Sequence, residues 1–269
     1  MAEKIEPYPP EAITGNAPLY ARPEPLNPEA HGGLGVDMRQ NPYGFAAKQH
    51  FVPLVAGEFP QACTVYPIIF AGDELIPLAV MGLAEDENFF FHEAGDAQPY
   101  IYVPAYMRRY PFTVAADQNS NQMIVCIDRE SPLVTETGEA RFFDGKELTE
   151  YGKNSVAFCE SYERERVTTQ AFIAKLKELD LFEPREARHT PTGPEGPGEP
   201  QVVASFFAIS EDKLRALPAD KFEEIRPLLG PVYAHLISMN NWDRLIAMAL
   251  TRQAIAGGAV PLNPANKPN

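Results

Sequence analysis

Val65-Tyr66-Pro67-Ile68-Ile69-Phe70-Ala71-Gly72-Asp73-Glu74-Leu75-Ile76-Pro77-Leu78-Ala79-Val80-Met81-Gly82-Leu83 decides the fold class. Residues 65–70 and 75–83 are apolar runs of strand character, and Ala71-Gly72-Asp73-Glu74 between them carries the residues of a turn. Asn88 to His92, ended by Glu93-Ala94-Gly95-Asp96, reads as a third strand. Met123 to Asp128 reads as a fourth, short and apolar enough to be central. No helical periodicity separates these strands, so they predict an antiparallel meander rather than a doubly wound sheet.

The same half of the chain is crowded with aromatic–proline clusters. They are His50-Phe51-Val52-Pro53-Leu54, Glu58-Phe59-Pro60, Tyr66-Pro67 and Tyr100-Ile101-Tyr102-Val103-Pro104-Ala105-Tyr106-Met107-Arg108-Arg109-Tyr110-Pro111-Phe112. Each proline fixes its own φ and lacks a backbone N–H, so these clusters predict short strands joined by firmly set turns.

Asn154 to Leu181 is the clearest helix. Phe158, Tyr162, Thr169, Phe172, Leu176 and Leu179 fall at three- and four-residue steps and form one apolar stripe. Asn154 or Ser155 is the expected cap, Glu160 and Arg164 an exposed pair, and Pro184 the end of the segment. Thr190 to Pro200 has the composition of a mobile linker. Gln201 to Ile209 reads as one more strand, and Ser210 as the cap of a short helix. Further helices are expected near Ala219 to Ile225 and from Pro231 through Ala249, the last broken at Asn240-Asn241.

The expected class is therefore α+β: a mainly antiparallel β core with a long flanking helix and a C-terminal helical segment. Residues 1–40 are expected as an extended arm, 41–185 as the β-rich core with its helix, and 186–200 as a Pro/Gly linker. Residues 201–253 then add a strand and helices to the same core, and 254–269 form a loose tail.

With 37 acidic and 23 basic residues, the formal charge is −14, which disfavours non-specific binding to nucleic acid or anionic lipid. Cys63, Cys126 and Cys159 are widely spaced and odd in number, as expected of reduced, buried thiols. His31, His50, His92, His189 and His235 never fall at metal-ligand spacing, so no metal and no cofactor is expected. The first residues lack the basic and apolar regions of a secretory signal. No apolar run approaches the about 20 residues that span a bilayer. A soluble cytoplasmic protein is the expectation.

Nucleotide, hydrolase and metalloprotease motifs are absent from the sequence. The richest polar-aromatic cluster is Tyr102, Tyr106, Arg108, Arg109 and Tyr110. Adjacent arginines in an acidic chain need acidic partners, either carboxylates of the same fold or an anionic ligand. The internal network is the simpler reading, and a contact site is the functional one, because Tyr and Arg dominate interface hot spots. His50, with Glu58 eight residues on, reads as a packed structural histidine before a catalytic one. Asp128 and Glu130 follow a buried strand, where carboxylates serve acid–base chemistry or, more commonly, cap a turn. Glu163-Arg164-Glu165-Arg166 reads as a solvated face, and Tyr233 and His235 as polar-tipped core residues.

Taken in order, these clusters resemble the SapC family of bacterial proteins. The resemblance rests on residues 43–54 with Glu58-Phe59-Pro60, Tyr66-Pro67-Ile68, residues 102–112, and Cys126-Ile127-Asp128 with Ser131-Pro132-Leu133. Tyr162-Glu163-Arg164-Glu165 and Tyr233-Ala234-His235-Leu236-Ile237-Ser238-Met239 also fit, so it spans roughly residues 26 to 252. It implies a role in surface-layer assembly or secretion, in the company of TonB-dependent receptors and oxygenase-like proteins. The transport label carried by some members does not suit a chain without an apolar span. No catalytic residues come with the resemblance. The leading functional expectation is a non-catalytic protein-binding or assembly factor with a protein partner, contacting it through Tyr102, Tyr106, Arg108, Arg109 and Tyr110. The alternatives are an enzyme or enzyme accessory using His50, Asp128 and Glu130 in one pocket, and a binder of a small-molecule ligand.

Overall fold

The computed structural model describes residues 19–37, 42–116, 123–190, 192–193 and 196–256. In chain order it begins with strand β1 (Pro23–Pro25), helix α1 (Pro28–His31) and strand β2 (Gly35–Val36). Strand β3 (Phe51–Pro53) leads through helix α2 (Phe59–Ala62) to strands β4 (Ile68–Ala71) and β5 (Ile76–Val80). Helix α3 (Ala105–Arg108) precedes β6 (Phe112–Ala116), β7 (Met123–Asp128), β8 (Val134–Thr135), β9 (Ala140–Arg141), β10 (Phe143–Asp144) and β11 (Glu147–Leu148). The long helix α4 (Glu150–Glu178) is followed by β12 (Phe182–His189), β13 (Thr192–Gly193), β14 (Gly196–Pro197) and β15 (Gln201–Ile209). Helices α5 (Glu211–Arg215), α6 (Ala219–Ile225), α7 (Leu229–Ser238) and α8 (Asn241–Ala256) complete the chain.

The main sheet has the order β12-β15-β4-β5-β3, with every pair antiparallel. The expected hairpin is its centre, and the class is α+β as read from the sequence. Val203, Phe206, Ala208 and Ile209 of β15 are buried, and Phe70 of β4 meets Phe59 and Phe182 edge-on at 6.2 and 4.9 Å between ring centres. From the other side of this core, Tyr162, Thr169, Phe172, Ile173 and Leu176 of α4 are buried, so the predicted stripe faces inward. A second sheet, β1-β7-β6, has β7 at its centre, so that strand is central as expected but in a sheet apart from the β4–β5 hairpin, and the expected meander is not formed; a third sheet has β2 between β8 and β9.

Five expectations are corrected. The N-terminal arm is built into the fold over residues 19–37: β1 pairs with β7, and the Tyr20 hydroxyl donates to the Phe112 carbonyl at 2.7 Å. Residues 88–92 are not a strand. Asn88 instead donates its side-chain amide to the Ala46 and Gln49 carbonyls and accepts from the Phe90 and Phe91 N–H groups. That turn buries Phe89, Phe90 and Phe91 together, which an alternating strand cannot do. Residues 186–189 of the expected linker belong to β12. Pro184 lies inside that strand rather than closing α4, and it is tolerated because β12 is at the sheet edge. Finally, α4 starts a turn early, capped by Thr149, whose hydroxyl accepts from the Gly152 N–H at 3.1 Å. Gly152 reads as a helix breaker, yet a Cβ there would stand 2.5 Å from the Phe142 carbonyl oxygen, so the close approach requires it. The loose tail expected at 254–269 lies outside the described residues from 257 on, and α8 runs to Ala256.

The C-terminal helices close the sheet through polar groups as well as apolar ones. Asn241, at the break between α7 and α8, donates to the Cys63 and Tyr66 carbonyls at 2.7 and 3.0 Å. His235 is fully buried, as expected, while Tyr233 is 47 % exposed and is not a core residue. The Ile209 N–H donates to His235 Nε2 at 3.0 Å, which fixes Nε2 as the acceptor nitrogen. Burial lowers the His235 pKa from 6.5 to about 3. The folded state therefore binds this proton less readily than the unfolded chain. The contribution is fully present above about pH 6.5 and is lost as pH falls toward 3, at up to about 1.4 kcal/mol per pH unit. Urea unfolding at pH 7 and pH 5 should show this loss in the native chain and a clearly smaller one in His235→Asn.

Candidate functional site

Pro104 opens α3 with an extended ψ of 145°, so the helix is a single turn set against α4. Consecutive helical residues point about 100° apart. That geometry sends Arg108 and Arg109 to different surroundings.

Arg108 stays half exposed, at 42 % of its side chain. Its Nε donates to the Val103 carbonyl at 3.0 Å, and its guanidinium lies over the Phe158 and Tyr102 rings at 5.3 and 5.9 Å. Glu58 is the anchor beneath it. One carboxylate oxygen accepts from the Tyr102 hydroxyl and from the Ala105 N–H, both at 2.6 Å; the other accepts from the Val55 N–H at 3.1 Å. Arg108 Nη2 approaches the same carboxylate at 3.9 Å.

Arg109 is 6 % exposed. Its guanidinium carbon sits 4.3, 4.5 and 5.6 Å from the ring centres of Tyr162, Tyr106 and Tyr20, a cation held among three aromatic faces. Glu163 Oε1 stands 3.5 Å from Nη1, within ion-pair range, but Nε and Nη1 have no hydrogen-bond acceptor among the described residues. Burial acts to lower the Arg109 pKa, the neighbouring phenols act to raise it, and the net direction is up. Burial also raises the phenols: Tyr106 to about 12, with Tyr20 and Tyr162 pushed up as well, each partly opposed by Arg109.

The arginine doublet is thus not one outward-facing contact site. Arg109 is turned inward, and only Arg108 is available at the surface. Tyr110 is also buried, stacked on Phe45 at 4.1 Å with its hydroxyl 3.4 Å from Asp128. Asp128 is buried and accepts from the Ala21 and Arg22 N–H groups at 3.1 and 2.8 Å, and from the Glu130 N–H at 3.3 Å. It caps and ties, the commoner of its two sequence readings. Glu130 is exposed. His50 packs edge-on against Phe51, its carbonyl accepts from Met81 and Gly82, and burial lowers its pKa. His50, Asp128 and Glu130 therefore have separate neighbours rather than one shared pocket.

A cleft of about 680 Å³ opens between β3, β5 and α4. Its walls are apolar, from Phe51, Leu54, Ile76, Leu78 and Ile173, and one end is formed by Tyr106, Arg109, Tyr162 and Arg166. Arg166 Nε donates to Glu163 Oε2 at 2.6 Å, so two guanidiniums share one carboxylate. Glu163 and Arg166, expected on a solvated face, instead border this cleft, which the sequence does not announce. The usable signal was the continuation of the Tyr162, Thr169, Ile173 face through Arg166, at three- and four-residue steps. A smaller depression of about 290 Å³ lies across Tyr162, against Glu58, Arg108 and Phe158. Among the described residues, no cluster of His, Cys, Asp and Glu is placed to hold a metal ion, and no helix is long and apolar enough to cross a membrane.

The fold and cleft define an α+β chain carrying a caged arginine beside an apolar groove. Residues 26–245 match the SapC family model, and the chain belongs to the SapC family. No curated protein and no solved structure matches it.

Proposed function

We propose that this chain is a non-catalytic binding protein whose ligand site is the cleft between β3, β5 and α4. What supports the reading is the kind of polar group at its arginine end. Arg109 and Arg166 carry fixed positive charge, and Tyr106 and Tyr162 are held protonated by burial. Such groups are donors at neutral pH, suited to holding a ligand rather than to moving a proton, for which a pKa near 7 serves best. A protein partner, in a surface-layer, export or receptor setting, would meet the chain at Arg108 and Tyr102 on the other side of α3. The enzymatic alternative draws no support from the separate neighbours of His50 and Asp128.

Ala174 lines the cleft and is exposed, so Ala174→Trp fills it without burdening the core. A thermal-shift screen with a chemically mixed metabolite library is expected to give compounds that raise the melting temperature of the native chain by about 5 °C at a hundredfold excess over Kd. The same compounds should leave Ala174→Trp unmoved. If both proteins respond alike, or nothing shifts the native chain, the reading fails.

A further inference from the structure

We infer that the ligand of this cleft is an organic monoanion, a single carboxylate carried on an extended alkyl or aryl body; this rests on the cleft being the binding site. Three observations carry it. First, charge at the arginine end is not balanced. Glu163 is the one carboxylate shared by Arg109, at 3.5 Å, and Arg166, at 2.6 Å, which leaves one positive charge over. The chain as a whole carries −14, so a net cationic cleft end does not follow from composition. Second, the buried cation is under-satisfied. Arg109 Nε and Nη1 have no acceptor among the described residues, and in a low-dielectric surround an anion at the cleft end offsets that deficit. Third, a reachable donor stands at the same end. Arg166 is 44 % exposed and gives only its Nε to Glu163, so its two terminal nitrogens can grip the flat carboxylate side by side.

The remainder of the cleft selects for an apolar body. Phe51, Leu54, Ile76, Leu78 and Ile173 supply the walls, and the volume lies in the range of small-molecule sites. At the opposite end Glu74 and Lys177 bring one charge of each sign, and the Lys177 ammonium is already held by the Asp73 carbonyl at 2.8 Å. That end has no unmatched charge for a second acid group. One carboxylate, at the Arg109–Arg166 end, is what the site accommodates.

The test is calorimetric titration of the whole chain at pH 7.5 with decanoate and phenylbutyrate, each beside its primary alcohol, and with decyl phosphate. The carboxylates are expected to bind at least about tenfold more tightly than the alcohols, a difference of about 1.4 kcal/mol. Decyl phosphate should bind more weakly than decanoate. Arg166→Gln, at an exposed position, should erase most of the preference, lowering carboxylate affinity far more than alcohol affinity. Arg109→Met should abolish the preference, provided its thermal melt confirms a folded chain. Equal affinity for acid and alcohol, or a preference that survives in Arg166→Gln, overturns the carboxylate assignment and leaves the cleft as a neutral apolar site. Tighter binding of decyl phosphate overturns the choice of carboxylate. Heat that is identical in Ala174→Trp, or no heat from any member of the series, removes the binding site itself.

Discussion

Glu58→Ala is expected to lower the stability of this chain by about 4 kcal/mol, or roughly 10 °C in melting temperature for a protein of this size. Glu58 is buried, and its two oxygens accept from the Tyr102 hydroxyl and from the Ala105 and Val55 N–H groups. Alanine would leave the two backbone donors enclosed with no acceptor, each costing about 1–3 kcal/mol. It would also strand the cation of Arg108, which the same carboxylate partly offsets at 3.9 Å. The damage would spread, because Val55 precedes α2 and Ala105 begins α3, so this one carboxylate fastens two turns that are distant in sequence. Glu58→Gln keeps one acceptor oxygen and should cost about half as much. Urea denaturation of the two variants checks the pair of values. A loss below about 1 kcal/mol in Glu58→Ala would mean that packing alone holds the α3 turn.

Glu58 also marks the limit of what the sequence discloses. The strands β4, β5, β7 and β15 were legible because each carries its own apolar run and turn signals. The helices α5, α7 and α8 were legible from Ser210, Pro231 and Asn240-Asn241, local punctuation that needs no distant partner, although α7 begins at Leu229, two residues before the expected Pro231. The rest depends on contacts between remote segments. Position 152 of the helix takes glycine because the Phe142 backbone passes close to it, and Pro184 is tolerated in a strand because β12 has a free edge. Residues 88–92 have the composition of a strand, but the Asn88 amide finds the carbonyls of Ala46 and Gln49 and turns the chain instead. At the candidate site, the Arg and Tyr residues were visible as a cluster while their directions were not. A repeat of two arginines cannot say which enters the cage of Tyr20, Tyr106 and Tyr162, since those rings come from three separate parts of the chain.

Asp128→Ala is expected to cost about 3 kcal/mol and to loosen the N-terminal segment from the second sheet. The carboxylate collects the N–H groups of Ala21 and Arg22 at 3.1 and 2.8 Å and stands 3.4 Å from the buried Tyr110 hydroxyl. Hydrogen bonds to a charged acceptor are each worth about 1.5–3 kcal/mol, and here two of the donors are only partly buried, which keeps the sum near the lower end. β1 is a three-residue strand, so beyond its pairing with β7 the segment is held by this carboxylate, by the Tyr20 hydroxyl on the Phe112 carbonyl and by the Arg129 N–H on the Arg22 carbonyl at 2.9 Å. Chymotrypsin should therefore cut after Tyr20, whose ring is buried while the segment is docked, many times faster in Asp128→Ala than in the native chain. Asp128→Asn keeps one acceptor and should fall between the two. The consequence reaches the cleft, because Tyr20 lies in the same segment. Its ring is one wall of the Arg109 cage, packed edge-on to Tyr106 at 5.8 Å. Loss of that wall admits water to the guanidinium and screens the charge that the cleft presents. A carboxylate ligand should then bind several-fold more weakly to Asp128→Ala, although Asp128 does not line the cleft, and its matched alcohol should bind as before. Rapid cleavage after Tyr20 with undiminished carboxylate preference would separate the two effects and show that Arg109 needs only the rings of Tyr106 and Tyr162.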